Sequence, residues 1–146
     1  MDKKHDILLS GSNDGEILEM VHVAAAIIRN QNGGILICQR GSGGSCAHLW
    51  EFPGGKREPG ETFEACLVRE CMGELQIAVA VDRLYEETEY AYPERTVHVS
   101  FFLAHILAGE PQLNIHDAIR WAKPETLPGY RFCPADIPMI GRLARL

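Results

Sequence analysis

Val21 to Asn30 reads VHVAAAIIRN, a run that is apolar on both faces and rich in β-branched residues. Uninterrupted apolar character over that length predicts a strand covered on both sides. Gln31-Asn32-Gly33-Gly34 and a second apolar run, Ile35-Leu36-Ile37-Cys38, follow. An Asn-Gly pair between two such runs predicts a hairpin. Gly41-Ser42-Gly43-Gly44-Ser45 has the composition of a surface loop, and it leads to Leu49-Trp50-Glu51-Phe52, where Pro53, Gly54 and Gly55 end the extended run. From Thr62 the period changes. Phe63, Cys66, Leu67, Cys71 and Leu75 recur on one broad face, with Glu64, Arg69, Glu70 and Glu74 mostly off it, and predict an amphipathic helix. Strand-like runs return at Ile77 to Leu84 and Thr96 to Leu107, with Tyr92-Pro93-Glu94-Arg95 as the turn before the second. Ala118 to Ala122 reads as a last short strand, and Pro134 to Leu146 as a terminal helix with Pro138 early in it. Strands, a helix, more strands and a helix predict an α/β sandwich around one sheet.

A chain of 146 residues fits one domain, and 46% apolar with 23% charged residues excludes wholesale disorder. Residues 1–20 mix charge and glycine around Ile7-Leu8-Leu9 and read as an N-terminal extension, which leaves 21–146 as the domain. The formal charge of -6 disfavours a protein that holds long nucleic acids by neutralising phosphates, so an anionic ligand needs a local device. No apolar stretch nears the ~20 residues of a bilayer span. Ser10 to Gly15 also interrupts the N-terminus, so neither a membrane span nor a signal peptide is expected. The five cysteines lack a Cys-x-x-Cys pair or zinc-like spacing, which points to reduced thiols and a cytoplasmic compartment.

The chemistry concentrates between Gly55 and Ile77, GKREPGETFEACLVRECMGELQI. Glu70 and Glu74 are four residues apart and therefore neighbours on a helix, with ~5–6 Å between Cβ atoms. Like charges so placed repel by a few tenths of a kcal/mol, and a hard divalent cation reverses the sign. Gly54 and Gly55 can bring bare backbone to the same place. Arg69 can hold a carboxylate in orientation, with Glu61, just before the helix, as the other half of a pair. By itself the Glu pair also fits a solvated acidic helix face.

The full spacing is Gly55, five residues, Glu61, seven residues, Arg69-Glu70, then Glu74 and Ile77. It resembles the signature of the Nudix hydrolases. The likeness continues through VAAAIIRN, ICQR, LWEFPGGK and CPADIP, which look most like the MutT-type branch that hydrolyses nucleoside triphosphates. The resemblance implies a Nudix-type α/β/α sandwich with a mixed central sheet, and Mg²⁺, with Mn²⁺ as the alternative. It implies attack of water on a phosphorus to give monophosphate and pyrophosphate from a canonical, oxidised or otherwise modified nucleotide such as 8-oxo-dGTP. On the matching positions Glu70 and Glu74 would be ligands and Gly54 would offer its carbonyl. Arg69 would orient Glu70, and Glu61 would support the site or assist proton transfer. Val23, Arg40, Phe52 and the turn with Asp136 would surround the base, with Lys56 near phosphate. The expected partner is a small nucleotide, with the protein a monomer or homodimer and its role the cleaning of the nucleotide pool in support of DNA repair.

Three positions depart from the family. Gly73 stands where a second adjacent glutamate is usual and Gln76 where a glycine is; counting back from Trp121, a further acidic ligand would fall on Ile115, with His116 and Asp117 just after it. These departures leave open a catalytically weakened nucleotide-binding domain. A hydrolase of larger substrates such as RNA 5′ ends is the other alternative.

Overall fold

The computed structural model describes residues 19–145. All but Glu19 and Met20 of the expected extension therefore lie outside the described residues. Strands β1 (Met20–Ile28), β2 (Ile35–Gln39), β3 (Trp50–Glu51) and β4 (Gly54–Lys56) precede helix α1 (Phe63–Leu75). Strands β5 (Ala78–Ala91), β6 (Thr96–Ala108) and β7 (Ala118–Ala122) and helix α2 (Ile137–Leu143) follow.

The strands form two sheets where one was expected: a four-stranded sheet in the order β4-β1-β6-β5 and a three-stranded sheet in the order β3-β2-β7. The first is mixed, because β1 runs parallel to β6 while the β1–β4 and β5–β6 pairs are antiparallel. β1 is central and buried on both faces, as its composition requires. Val21, Val23, Ala25 and Ile27 join the core that includes α2, while Ala24, Ala26 and Ile28 join the core under α1.

The expected hairpin is half right. Its turn forms, with the Asn30 Oδ1 accepting the N–H of Asn32 at 3.0 Å and of Gly34 at 2.8 Å, and with Gly33 at a φ of +81°. Beyond one Arg29–Ile35 bridge, however, the strands part into different sheets. Both edges of β1 are already taken by β4 and β6. β5 continues to Ala91 rather than stopping near Leu84, through register shifts that let a polar, half-exposed strand stay paired to β6. The terminal helix is shorter than expected: Pro134–Asp136 is a 3₁₀ turn and α2 covers seven residues.

α1 is capped at both ends. Thr62 Oγ1 accepts the Ala65 N–H at 3.0 Å. At the other end Gln76 takes the left-handed conformation, φ 59° and ψ 37°, while its N–H donates to the Met72 carbonyl and that of Ile77 to the Cys71 carbonyl. This is the C-terminal arrangement that glycine favours. Gln76 is exposed, and open space surrounds Gly73 in the helix interior. Gln76→Gly and Gly73→Ala are therefore each expected to stabilise the protein by about 1 kcal/mol. Chemical denaturation of the two variants checks this through the midpoint.

Candidate active site

Arg69 lies two turns into α1 and its guanidinium spans two carboxylates. Nε donates to Glu61 Oε2 at 2.7 Å and Nη2 to Glu61 Oε1 at 2.9 Å, a two-pronged fork, while Nη1 donates to Glu70 Oε2 at 2.7 Å. Nη2 also donates to the Lys56 carbonyl at 3.2 Å, tying the helix to β4. Glu70 is 2% exposed and Glu74 7%. Burying carboxylates costs several kcal/mol each unless cations and donors compensate, and Arg69 is that cation for Glu70. A merely solvated acidic face would not bury both.

The glycines let the loop approach. At Gly54, φ is +154° and a Cβ would lie 2.0 Å from the Ala24 carbonyl oxygen. At Gly55 a Cβ would lie 2.6 Å from Glu70 Cδ and 2.8 Å from its Oε2. Backbone thus rests directly on the carboxylate. Among the described residues no cage of three or more His, Cys, Asp or Glu side chains exists. Two buried carboxylates beside glycine backbone nonetheless fit Mg²⁺, which keeps waters and takes other ligands from substrate phosphates. The nearby thiols do not compete, because burial pushes Cys66 and Cys71 up to about 12.

Glu61 is held at about 2, first by the Arg69 hydrogen bonds and then by the Glu58 N–H. Its folded value is depressed, so its contribution to stability is complete above the ordinary value of about 4.5 and is lost as the pH falls towards about 2. Glu61→Gln is expected to melt below the parent at neutral pH, and the gap is expected to shrink below about pH 4.5. Parallel thermal melts across that range measure it.

A model of the NUDIX domain matches residues 24–142. The chain belongs to the Nudix hydrolase family. It is 36% identical over 129 residues to the 8-oxo-dGTP diphosphatase of Escherichia coli, covering 88% of this chain and 100% of that protein. It is 37% identical over 123 residues to the CTP pyrophosphohydrolase of the same organism, covering 84% and 90%. The solution structure of the E. coli ORF135 protein matches with a TM-score of 0.73 at 36% identity, over 85% of this chain and 88% of that chain. A MutT protein from Methanosarcina mazei shares the fold with a TM-score of 0.78 at 22% identity, over 88% and 95%.

In this Nudix domain the other expected residues divide into two groups. Arg40 is 5% exposed and its Nη1 donates to Glu51 Oε1 at 2.8 Å. Glu51 Oε2 lies 3.3 Å from Nε2 of the buried His116. Asp136 is fully buried, with its N–H donated to the Cys133 carbonyl at 2.9 Å. Val23 and Phe52 have no exposed surface either, but both are apolar members of the core cluster that also holds Phe132 and Ala135. Phe52 stacks on Phe132 with centroids 5.2 Å apart and meets Phe101 edge-on at 6.0 Å. It therefore offers no ring face to a base, contrary to expectation. Glu51 and Phe52 are consecutive in extended chain, so when Glu51 turns to Arg40, Phe52 turns into the core. Lys56 is exposed at the end of β4.

His116 and Asp117 do not join Glu70 and Glu74. His116 is engaged by Glu51, and the Asp117 carboxylate lies 3.1 Å from His48 Nδ1. Ile115 is 42% exposed. Glu51, His116 and Arg95 carry no motif; the available signal for Glu51 was a lone carboxylate between Trp50 and Phe52. Arg95 closes the expected turn, its N–H donating to the Tyr92 carbonyl at 3.2 Å, and is 6% exposed, with Nη2 3.5 Å from Ser45 Oγ.

Proposed function

We propose that this Nudix hydrolase cleaves nucleoside and deoxynucleoside triphosphates to monophosphate and pyrophosphate with Mg²⁺, for which Mn²⁺ can substitute, in cytoplasmic cleaning of the nucleotide pool. The supporting observation is the Glu61–Arg69–Glu70 bridge with buried Glu74 one turn further, packed on Gly55. The metal, when bound, neutralises phosphate charge and activates a water. Glu70 and Glu74 would hold it, with the Gly54 carbonyl as a third donor. Arg69 orients Glu70. Glu61 positions Arg69: both its oxygens accept from the guanidinium, and a carboxylate held at about 2 is a poor proton acceptor at neutral pH. Lys56 faces the phosphates.

For the base we infer a cytosine ring. As a carboxylate, Asp136 would only accept hydrogen bonds, which suits an exocyclic amino group, whereas an asparagine amide would also donate to an oxopurine. Arg40, oriented by Glu51, supplies donors to a ring carbonyl. Pyrophosphate release from dCTP, CTP, 5-methyl-dCTP, dGTP and 8-oxo-dGTP tests both halves. Cytosine nucleotides are expected to lead, and Asp136→Asn to shift the ratio towards 8-oxo-dGTP by about tenfold or more. Tight nucleotide binding with no release from any triphosphate would replace this reading by a weakened binding domain. Preference for triphosphorylated RNA 5′ ends would replace it by a larger-substrate hydrolase.

A further inference from the structure

Arg40, Glu51 and His116 form a buried polar chain across one end of the three-stranded sheet. Arg40 directly follows β2, Glu51 ends β3, and His116 lies two residues before β7. Glu51 is engaged at both oxygens: Oε1 accepts from Arg40 Nη1 at 2.8 Å, and Oε2 lies 3.3 Å from His116 Nε2. The backbone beneath the chain is fixed as well. The Arg40 N–H donates to the Leu49 carbonyl at 2.9 Å, and its carbonyl accepts the His48 N–H at 3.1 Å. The Asp117 N–H donates to the Gln39 carbonyl at 2.9 Å, which seats His116 beside the strand end that carries Arg40. Trp50, next to Glu51, donates its N–H to the Arg131 carbonyl at 2.7 Å and accepts the Cys133 N–H at 2.9 Å. β3 therefore joins Arg40, through Glu51, to the strip of chain that ends at Asp136.

A carboxylate only accepts hydrogen bonds, so His116 Nε2 carries the proton in this contact. Its Nδ1 is buried and meets no hydrogen-bonding partner among the described residues. An imidazole placed there loses the hydration of Nδ1 without return, and an apolar side chain would fill the space at lower cost. Filling space therefore does not explain the histidine, whereas donation to Glu51 does. That donation has a geometric consequence. A carboxylate held at one oxygen turns readily about its last bond, but one held at both oxygens by groups on separate segments keeps its plane. The plane of Glu51 in turn sets the direction of Arg40, whose guanidinium donates in a rigid fork.

We propose that His116 is a positioning residue for base recognition: its Nε2–H fixes the Glu51 carboxylate, which aims Arg40 at a carbonyl of the bound base. His116 acts through two intervening side chains and touches neither the nucleotide nor the metal. The segment before β7, where Ile115 supplies no carboxylate, thereby serves the base end of the site. This role rests on the proposed assignment of Arg40 to the base; the hydrogen-bonded chain itself does not. Because all three side chains are buried, water cannot take over the bond that His116 makes, and its loss is felt at Arg40.

The test compares His116→Leu, His116→Gln, Arg40→Met and the double variant His116→Leu with Arg40→Met in the full-length protein. Steady-state kinetics with dCTP are set beside inhibition by inorganic triphosphate, which carries no base, and beside thermal melts. His116→Leu is expected to raise KM for dCTP about tenfold while kcat changes less than about twofold. The inhibition constant of inorganic triphosphate should stay parental. His116→Gln, whose amide nitrogen can donate from the same place, should recover most of the loss. On the Arg40→Met background His116→Leu should add no further loss, because the aim of a missing guanidinium cannot be disturbed. Arg40→Lys replaces Arg40→Met if the latter is unfolded at the assay temperature. A parental KM in His116→Leu, additive losses in the double variant, equally weakened inhibition by inorganic triphosphate, or a glutamine variant no better than the leucine one would overturn the proposal. A parent that prefers another base would overturn the cytosine reading alone, and the same cycle on that triphosphate decides His116. A parent that hydrolyses no triphosphate would overturn the substrate reading, and nucleotide affinities of the same variants by calorimetry decide His116.

Discussion

Glu74→Gln is expected to lower kcat by about 10²–10³-fold with no loss of stability. Residues that merely support a metal ligand typically contribute 10–100-fold, and Glu74 is placed as a ligand itself. Its side chain is 7% exposed and one helical turn from Glu70, so the amide fills the same volume while removing one of two buried negative charges. The variant should melt at or above the parent temperature. A substitution that weakens the reaction yet relieves the fold is the signature of a carboxylate kept for its ligand rather than for structure. Pyrophosphate release with saturating Mg²⁺, beside thermal melts, separates the two effects. Near-parental turnover would remove Glu74 from the site.

Arg69→Ala carries the opposite signature, with losses in both readouts. It deletes three short bonds to Glu61 and Glu70 and the 3.2 Å bond to the Lys56 carbonyl. Breaking a fully buried ion pair costs about 3–5 kcal/mol. Arg69 is 32% exposed, so solvent relieves part of this and about 2–3 kcal/mol is expected. Turnover should fall about tenfold to a hundredfold, because Glu70 loses its orientation. Arg69→Lys should recover little of either, since an ammonium cannot reproduce a planar fork reaching two carboxylates. Equilibrium denaturation and steady-state kinetics of both variants check the pair of effects; an Arg69→Lys protein equal to the parent would show that charge alone suffices.

The proposed metal end of the site could be assembled from sequence because its residues lie within one loop and one helix. Gly54, Gly55, Glu61, Arg69, Glu70 and Glu74 span 21 positions, and helical periodicity converts the spacing of those on the helix directly into neighbourhood. Even there, burial of both glutamates was not legible. It depends on β4 resting against the helix, which the missing side chain of Gly55 permits.

The base end was legible only in part. Arg40 and Asp136 were proposed one by one, but the Arg40–Glu51–His116 chain joins the residue after β2, β3 and the segment before β7, and no local pattern encodes it. Phe52 was misread for a related reason. Whether an aromatic ring lines a pocket or fills a core depends on which way its strand is pleated against its neighbours, and here Phe101 and Phe132 enclose it.

The sequence by itself determined the doubly buried β1, the helix Phe63–Leu75, and the acidic spacing that resembles a Nudix signature. Each follows from interactions spanning a few residues, where chain geometry leaves little choice. Only the tertiary structure decided the division into two sheets, the inward turn of Phe52 and the burial of Arg95. Those outcomes depend on which distant segments occupy the edges and faces of β1, and side-chain periodicity carries no record of that competition.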